Sequence, residues 1–363
     1  MKKLDWYILK KLLTTFVFTM LLITVIAVVI DTSEKADDFV RSGMNTSQLI
    51  THYFIGFVPF IMSMIFPLMV FIATIYFSSK MAAQSEFIAI LAGGVRYNRM
   101  LRPFFIGALI LGALFWFASQ YWVPKANEIR TNFQSTYIDN HSSYNGDPYR
   151  TNNFYLRVDA ETYMGIKYYD TTRKMAGSFF LLKIKKNKIF YNLRSETIRW
   201  DTVKKNWILV NAVEHTNNGL IETARIIPQM NINLNVRPEE LKRDEYLKDK
   251  YTTPQLKEFI KKEEIRGSEG LNTYKEERYH RDATPFSVVI LTMMGAVIAT
   301  RRVRGGSGVL LAIGLVLAAI FVIMDKFSVT FATKGNFSPM LAAWMPNIIF
   351  SFIAGWLYWK APK

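Results

Sequence analysis

Few residues in this sequence have types and spacing that support chemistry. Cysteine is absent, which excludes disulfides, thiolate metal ligands and cysteine nucleophiles. The four histidines are scattered and have no acids at ligand spacing; they are His52, His141, His215 and His280. The sequence has no G-x-x-x-x-G-K-[ST] loop, no H-E-x-x-H and no G-x-S-x-G pattern. We therefore predict a non-catalytic chain that binds no metal or cofactor itself.

One acid is notable for its surroundings. Glu86 lies in the segment 82–95, AAQSEFIAILAGGV, between two long apolar runs. The spacing predicts a short amphipathic helix whose apolar face includes Phe87, Ile88 and Leu91. Two interpretations are open. In the first, the face lies on a membrane and Glu86 favours the positive end of the helix dipole. In the second, the helix docks into a groove on a partner, where the acid meets a base.

The apolar residues of the chain are grouped in blocks. Half of the 363 residues are hydrophobic, and six runs approach the about 17 to 25 residues that cross a bilayer. The runs cover residues 12–30, 49–77, 104–123, 284–300, 309–327 and 339–359. The first run begins among lysines, but it lacks a small-residue cleavage site and is interpreted as a retained span. We predict a membrane protein with six transmembrane helices.

The charged residues that flank these runs predict the orientation. The net charge is +16, and both termini and the loops after the second and fourth runs are basic. The loop after the first run contains four acids, Asp31, Glu34, Asp37 and Asp38. Because basic loops stay in the cytoplasm, we expect both termini inside and residues 124–283 outside. The excess of positive charge is therefore a topology signal, and no nucleic-acid partner is expected.

Residues 124–283 change character between the third and fourth runs. Apolar and polar residues alternate there, as in Phe180, Leu182 and Ile184, with a tight turn predicted at Lys186 and Asn187. Several such strands predict an antiparallel sandwich or a partly open barrel. Two interpretations of this domain are possible. Its interior is either a closed apolar core or a cavity that accepts a ligand. Polar helices that begin near Thr253 lead back into the fourth run.

Five segments resemble the LptF/LptG (YjgP/YjgQ) family of lipopolysaccharide export permeases. They are LDWYILKKLLTTF, AAQSEFIAILAGGV, YWVPKANE, YHRDATPFSVVILTMMGAVI and LAAWMPNIIF, and they are distributed over nearly the whole chain. The segments LDWYILKK and FVIMDKF resemble LptG more than LptF. The resemblance implies an α+β membrane protein of the bacterial inner membrane, with a periplasmic β-jellyroll between helices 3 and 4. The domains are then residues 1–123, 124–283 and 284–363.

The resemblance also implies partners. In this family the segment equivalent to 82–95 is a coupling helix that contacts a cytoplasmic ATPase dimer, where ATP and Mg²⁺ are bound. The residues equivalent to that contact are Glu86, Phe87, Ile88 and Leu91. Family members pair with a paralogous permease as a heterodimer and pass lipopolysaccharide to a periplasmic bridge protein.

The stretch DTSEKADD departs from the family pattern. Relatives carry several lysines at the outer end of the first span, whereas this chain has Lys35 among four acids. The candidates for a lipid head-group site are therefore Lys35, Lys125 and Arg130. A membrane-anchored receptor or assembly factor, or a permease for a different amphiphilic lipid, also fits six spans and a basic cytoplasmic face.

Overall fold

The computed structural model describes most of the chain. The described residues are 3–139, 154–159, 161–170, 173–185, 188–202, 204–217, 221–234, 236, 238, 246–267, 270–300, 306–335 and 337–361. The tight turn predicted at Lys186 and Asn187 lies outside them, as does His141. The chain forms two compact units, a helical one (Met1–Asn140, Lys248–Leu256 and Asn272–Lys363) and a second one that contains the sheet (His141–Leu247 and Lys257–Leu271).

Helices precede and follow the strands along the chain. Before the strands they are α1 (Lys3–Glu34), α2 (Ala36–Arg41), α3 (Thr46–Leu49), α4 (Ile55–Ala83), α5 (Glu86–Ala92), α6 (Tyr97–Phe117) and α7 (Val123–Phe133). After the strands they are α8 (Leu247–Lys250), α9 (Thr253–Arg266), α10 (Leu271–Ala299), α11 (Gly306–Lys334) and α12 (Pro339–Trp359). Turns of π-helix at Ile50–Phe54 and Ala118–Trp122 lead into α4 and α7, and a third follows α7 at Gln134–Ile138.

In the described part of the chain, six helical segments are long and apolar enough to span a membrane. They are Lys3–Glu34, Thr46–Ala83, Tyr97–Ile138, Leu271–Ala299, Gly308–Lys334 and Pro339–Trp359, here called the first to sixth spans. The prediction of six spans is confirmed. The third and fifth spans extend well beyond residues 123 and 327, where the corresponding apolar runs end. A helix satisfies its own backbone hydrogen bonds, so it continues past the last apolar residue.

The second span is the central helix of the helical unit. Its residues belong to four separate apolar clusters. Tyr53 at one end packs with Phe133 of α7, and Phe66 packs with Phe16 of α1. Phe71 packs with residues of α10, α11 and α12. The helix continues through Pro59 and Pro67. Contact with other helices at several levels, together with exposed positions such as Met64 that face lipid, explains why this run is apolar along its whole length.

Small residues allow the spans to approach closely. A Cβ added at Gly107 would lie 2.8 Å from Leu12 of α1, and one at Gly112 would lie 3.2 Å from the Pro285 carbonyl of α10. Gly314 of α11 lies in the same way against Ile75 of α4. These three glycines therefore pack within this chain.

The described strands form one antiparallel sheet. They are β1 (Phe154–Arg157), β2 (Thr162–Ile166), β3 (Tyr168–Asp170), β4 (Met175–Lys185), β5 (Lys188–Asp201), β6 (Asn206–Asn217) and β7 (Glu222–Ile232). Their order in the sheet is β1-β2-β4-β5-β6-β7, and β3 pairs with β4. The predicted α+β class, with an antiparallel sheet between the third and fourth spans in sequence, is confirmed. The Trp207 indole N–H donates to the Val236 carbonyl at 2.8 Å and links β6 to the chain after β7.

The alternation of buried and exposed residues changes phase at one level of this sheet. The residues at this level are Ser178 in β4, Glu196 in β5, Asn211 in β6 and Pro228 in β7, and the pairing continues on both sides of them. Ser178 and Asn211 adopt positive φ angles of 52° and 54°. Buried residues are normally two positions apart in a strand, but across this level they are three apart, as in Ala176 and Phe179 of β4 and Leu209 and Ala212 of β6.

This change of phase decides which residues of β4 form the core. Phe179 and Leu181 are each 2% exposed, whereas Phe180 and Leu182 are only partly buried. Phe180 and Leu182 do share one face, as predicted from the alternation. That face is not the buried one, because the shift at Ser178 turns Phe179 and Leu181 inward.

Residues 124–283 are shared between the two compact units. The residues from 124 to Asn140 and the segment Lys248–Leu256 belong to the unit that contains the spans. Arg281, which is 6% exposed, donates to the carbonyls of Tyr251 and Lys248, both at 2.7 Å. These bonds attach the segment before α9 to the fourth span.

The close contact between α4 and α7 gives a testable prediction. A Cβ at Gly56 would lie 2.6 Å from the backbone nitrogen of Arg130, whereas a Cβ at Gly355 has nothing within 4 Å. We expect Gly56→Ala to lower the free energy of unfolding by about 1 to 3 kcal/mol. The matched change Gly355→Ala should raise it by about 0.5 to 1 kcal/mol, because alanine favours the helix. Thermal unfolding of the detergent-solubilised protein measures both. Equal effects of the two substitutions would contradict the close contact.

Candidate functional site

A sharp turn places α5 at the end of the second span. The Ser85 N–H donates to the Ala82 carbonyl at 3.1 Å, and Ser85 itself has a positive φ of 57°. This left-handed residue ends α4 and changes the direction of the chain. Gly94 has a φ of 78° and follows α5. The predicted short helix is therefore bounded on both sides by residues in left-handed conformations.

The carboxylate of Glu86 faces the first helix. The Tyr7 hydroxyl donates a long hydrogen bond of 3.5 Å to Glu86 Oε2, and the Lys11 ammonium donates to the same Tyr7 oxygen. Glu86 remains partly exposed. A basic group on a partner therefore has access to this carboxylate.

The other predicted residues of α5 differ in exposure. Phe87 is 3% exposed and packs in a cluster with Ile8, Phe77 and Tyr97. Leu91 is 36% exposed. The side chain of Ile88 lies outside the described residues. Phe87 therefore anchors the helix to the spans, and Leu91 is more exposed on the same helix.

Lys35, at the opposite end of the first helix, is already paired. Its ammonium lies 2.8 Å from Asp31 Oδ1, and the Tyr53 hydroxyl donates to Asp31 Oδ2 at 2.9 Å. The ammonium also donates to the Tyr53 hydroxyl. The Lys35 side chain is only 18% exposed. Its charge is thus used to join the first and second spans.

Arg130 and Lys125 lie on the same helix, α7, in different environments. Arg130 is 7% exposed, donates to Asn127 Oδ1 and Gln134 Oε1 at 3.1 Å each, and stacks 3.9 Å from the centre of the Phe60 ring. Lys125 is exposed, and no bond to its ammonium is seen in the described part of the chain. Of the three head-group candidates, Lys125 is thus the most accessible cation.

A cavity of about 310 Å³ lies between the second to sixth spans, at the end opposite α5. Its walls include His280 of the fourth span, whose Nε2 lies 3.0 Å from Asp325 Oδ1 of the fifth span. Arg281 Nε donates to Glu277 Oε1 at 2.8 Å beside it. Asn347 Oδ1 is buried and has no described partner. The His280–Asp325 contact joins the fourth and fifth spans at the cavity, whereas Arg281 and Glu277 both belong to the fourth span.

The His280–Asp325 pair was missed by reasoning from the sequence. The fifth apolar run, 309–327, ends two residues after Asp325, whereas α11 continues to Lys334. The available signal was the acid itself, because a carboxylate inside an apolar run requires a partner on another span. No group of three or more His, Asp or Glu side chains with metal-binding geometry occurs among the described residues.

The difference in burial between Phe87 and Leu91 can be tested by measuring the stability of variants. We expect Phe87→Ala to lower the free energy of unfolding by about 3 to 5 kcal/mol, because it leaves a cavity in the core. Leu91→Ala should lower it by only about 1 kcal/mol, since about a third of the side chain is already exposed. Thermal unfolding in detergent is the measurement. A loss for Leu91→Ala as large as that for Phe87→Ala would contradict the described orientation of α5.

The pKa of Asp249, which lies on the cavity wall, gives a testable prediction about how the stability of the protein depends on pH. Burial, and then the Glu277 carboxylate, raises the pKa of Asp249 from 3.8 to about 6. Because the pKa of Asp249 is higher in the folded protein, the protonated carboxyl stabilises the folded state. This stabilisation is complete below the ordinary pKa of 3.8 and is lost as the pH rises through about 6. Asp249→Asn should therefore melt at a higher temperature than wild type at about pH 7.5, with the difference shrinking toward about pH 4.5.

The control for this experiment is Asp37→Asn, which changes an exposed carboxylate of α2. Its effect on the melting temperature should be small over the same pH range. A difference between Asp249→Asn and wild type that stays constant with pH would contradict the prediction.

Comparison with known proteins supports the family predicted from the sequence. No curated protein matches this chain. The model of one family, described as lipopolysaccharide export system permease LptF/LptG, matches residues 6–360. That model includes both LptF and LptG, so the closer likeness to LptG stays a prediction. The match extends over the six spans and the sheet between them, and the chain therefore belongs to the LptF/LptG family of lipopolysaccharide export permeases.

Proposed function

We propose that this chain is one half of a two-permease transporter that extracts lipopolysaccharide from the bacterial inner membrane. Its energy comes from ATP that a separate cytoplasmic ATPase dimer hydrolyses with Mg²⁺. The observation that carries this proposal is the geometry of α5, which is anchored by Phe87 and leaves Glu86 and Leu91 partly exposed. Family membership supports the transport role.

The orientation of the chain in the membrane follows from its charges. Lys10, Lys11 and Lys80 lie at the same end of the spans as α5, whereas Asp31 and Glu34 lie at the other end of the first helix. Basic residues favour the cytoplasmic side. On this basis both termini and α5 are cytoplasmic, and the inserted sheet is periplasmic.

Coupling requires a rigid connection between the contact surface and the spans. The Ser85 turn and the buried Phe87 provide it, because movement of α5 then displaces the ends of the first and second spans. Glu86 offers a negative charge to a basic groove on the ATPase, and Leu91 offers an apolar contact. This helix-in-groove contact transmits the nucleotide cycle to the membrane.

The first and fifth spans supply the face for the second permease and the lipid. Only 17% and 22% of their most apolar stretches are buried, compared with 67% for the fourth span. Leu21 and Ile26 of the first span are exposed, as are Leu315 and Phe327 of the fifth. Such surfaces accept the acyl chains of a lipid or the spans of a paralogous subunit.

The lipid then leaves the membrane through the periplasmic sheet. Exposing its acyl chains to water costs about 25 cal/mol per Å² of apolar surface, so extraction requires both energy and an apolar receiving surface. Lys125 is positioned to contact a phosphate of the head group before a periplasmic bridge protein receives the lipid.

The proposal predicts that α5 retains an ATPase through Glu86. Glu86→Ala should weaken co-purification of ATPase activity from detergent-solubilised membranes, and Glu86→Arg should abolish it by charge repulsion. Glu34→Arg makes the same change in charge at the opposite end of the first helix and should retain the activity. If the Glu86→Arg variant retains as much ATPase activity as wild type, coupling through this residue is contradicted. Absence of ATPase from the wild-type sample would favour a receptor or assembly factor.

A further inference from the structure

A second cavity, of about 410 Å³, lies between the first and second spans at the α5 end. Three lysines line it, Lys10, Lys11 and Lys80. No acidic residue is among its described wall residues. The Glu86 carboxylate lies beside Tyr7 and offsets part of the charge of Lys11, but Lys10 and Lys80 leave the cavity with a net positive charge. The cavity therefore has the charge of an anion site.

Two of the three lysines have no partner in the described part of the chain. Lys10 and Lys80 are exposed, and no hydrogen bond or ion pair to their ammonium groups is seen there. Lys11 donates to the Tyr7 hydroxyl. This arrangement contrasts with Lys35 at the other end of the first helix, whose charge is neutralised by Asp31.

Other residues of the wall add hydrogen-bond donors and apolar surface. The hydroxyls of Tyr7, Thr14 and Tyr76 line the cavity together with the apolar side chains Phe77 and Met81. Ammonium and hydroxyl groups are the usual donors to phosphate oxygens. The cavity thus combines a polar, cationic part with an apolar part.

The position of the cavity indicates how its ligand is attached. The apolar stretch of the first span follows directly after Lys11. One to two helical turns beyond the cavity, Val17, Phe18 and Leu21 are 58%, 65% and 61% exposed. A phosphate held by the lysines therefore lies where a lipid head group meets its acyl chains, and those chains would cover this exposed strip.

We propose that this cavity binds the phosphodiester head group of an anionic phospholipid. Lys10 and Lys80 bind the phosphate oxygens directly, and Lys11 binds with the Tyr7 hydroxyl. Basic pockets between transmembrane helices at the membrane surface bind lipid phosphates in this way. The site depends on neither the exported lipid nor the ATPase.

The test measures lipid binding by the purified full-length chain without its partners. The protein is placed in mixed vesicles of phosphatidylglycerol and phosphatidylcholine, re-extracted gently, and its retained lipids are counted by native mass spectrometry. The wild-type protein should retain phosphatidylglycerol in preference to phosphatidylcholine. Lys10→Gln with Lys80→Gln should reduce that preference about thirtyfold, equivalent to about 1 kcal/mol for each lysine.

Two further variants make the result specific. Lys10→Arg with Lys80→Arg keeps both charges and should keep the preference. Lys360→Gln removes an exposed lysine outside the cavity, next to Trp356 at the other end of the chain, and should also keep it. Equal retention of phosphatidylglycerol by wild type and the double glutamine variant would overturn the proposal. So would an equal loss in Lys360→Gln, since general surface charge would then explain the binding.

A second arm separates a lipid from a free anion or a protein. Inorganic phosphate should raise the melting temperature of wild type much less than phosphatidylglycerol does. An equal shift with inorganic phosphate would overturn the lipid assignment in favour of a free-phosphate site. Loss of ATPase co-purification in the double glutamine variant, with unchanged lipid retention, would identify the cavity as a protein contact and would also overturn the proposal.

Discussion

The rest of the helical unit depends on the packing of the second span. Within the hydrocarbon layer a helix gains little from burying apolar area, so close contact and shape decide which helices associate. The second span contributes to four apolar clusters, and its Gly56 brings its backbone against α7. Both predicted functional regions begin at its ends. The Ser85 turn at one end sets the direction of α5, and Tyr53 at the other end fixes Asp31 and Lys35.

The cost of burying charge divides the cations of this protein into two groups. Lys35, Arg130 and Arg281 are largely buried, and each is hydrogen-bonded to other groups of the protein, Arg130 within its own span, so they stabilise the fold. Lys10, Lys80 and Lys125 are exposed, and in the described residues their ammonium groups have no partner. A buried charge has to be paired, whereas an exposed lysine remains available to a ligand. The exposed group is therefore where we expect lipid phosphates.

Much of this architecture was predictable, because apolar runs and flanking charges are local properties of a sequence. The six spans, the short helix around Glu86 and the antiparallel sheet all follow from such patterns. The inward face of β4 did not follow, because the positive φ of Ser178 shifts an alternation that otherwise looks regular. The roles of Phe87 and Lys35 also depend on distant partners, Tyr97 and Tyr53, that no local pattern identifies. The same is true of the pair His280 and Asp325, which are separated by 45 positions.

The central claim is that α5 contacts a nucleotide-binding subunit in the membrane-bound complex. Because the chain contains no cysteine, a single Leu91→Cys provides a unique cross-linking site on the exposed side of α5. Cross-linking in native membranes should join this cysteine to an ATPase, whereas Ile226→Cys, at an exposed position of β7, should not reach it. A cross-link from Leu91→Cys to the ATPase alone is the result that the account predicts. Absence of that cross-link, or an equal one from Ile226→Cys, would contradict it.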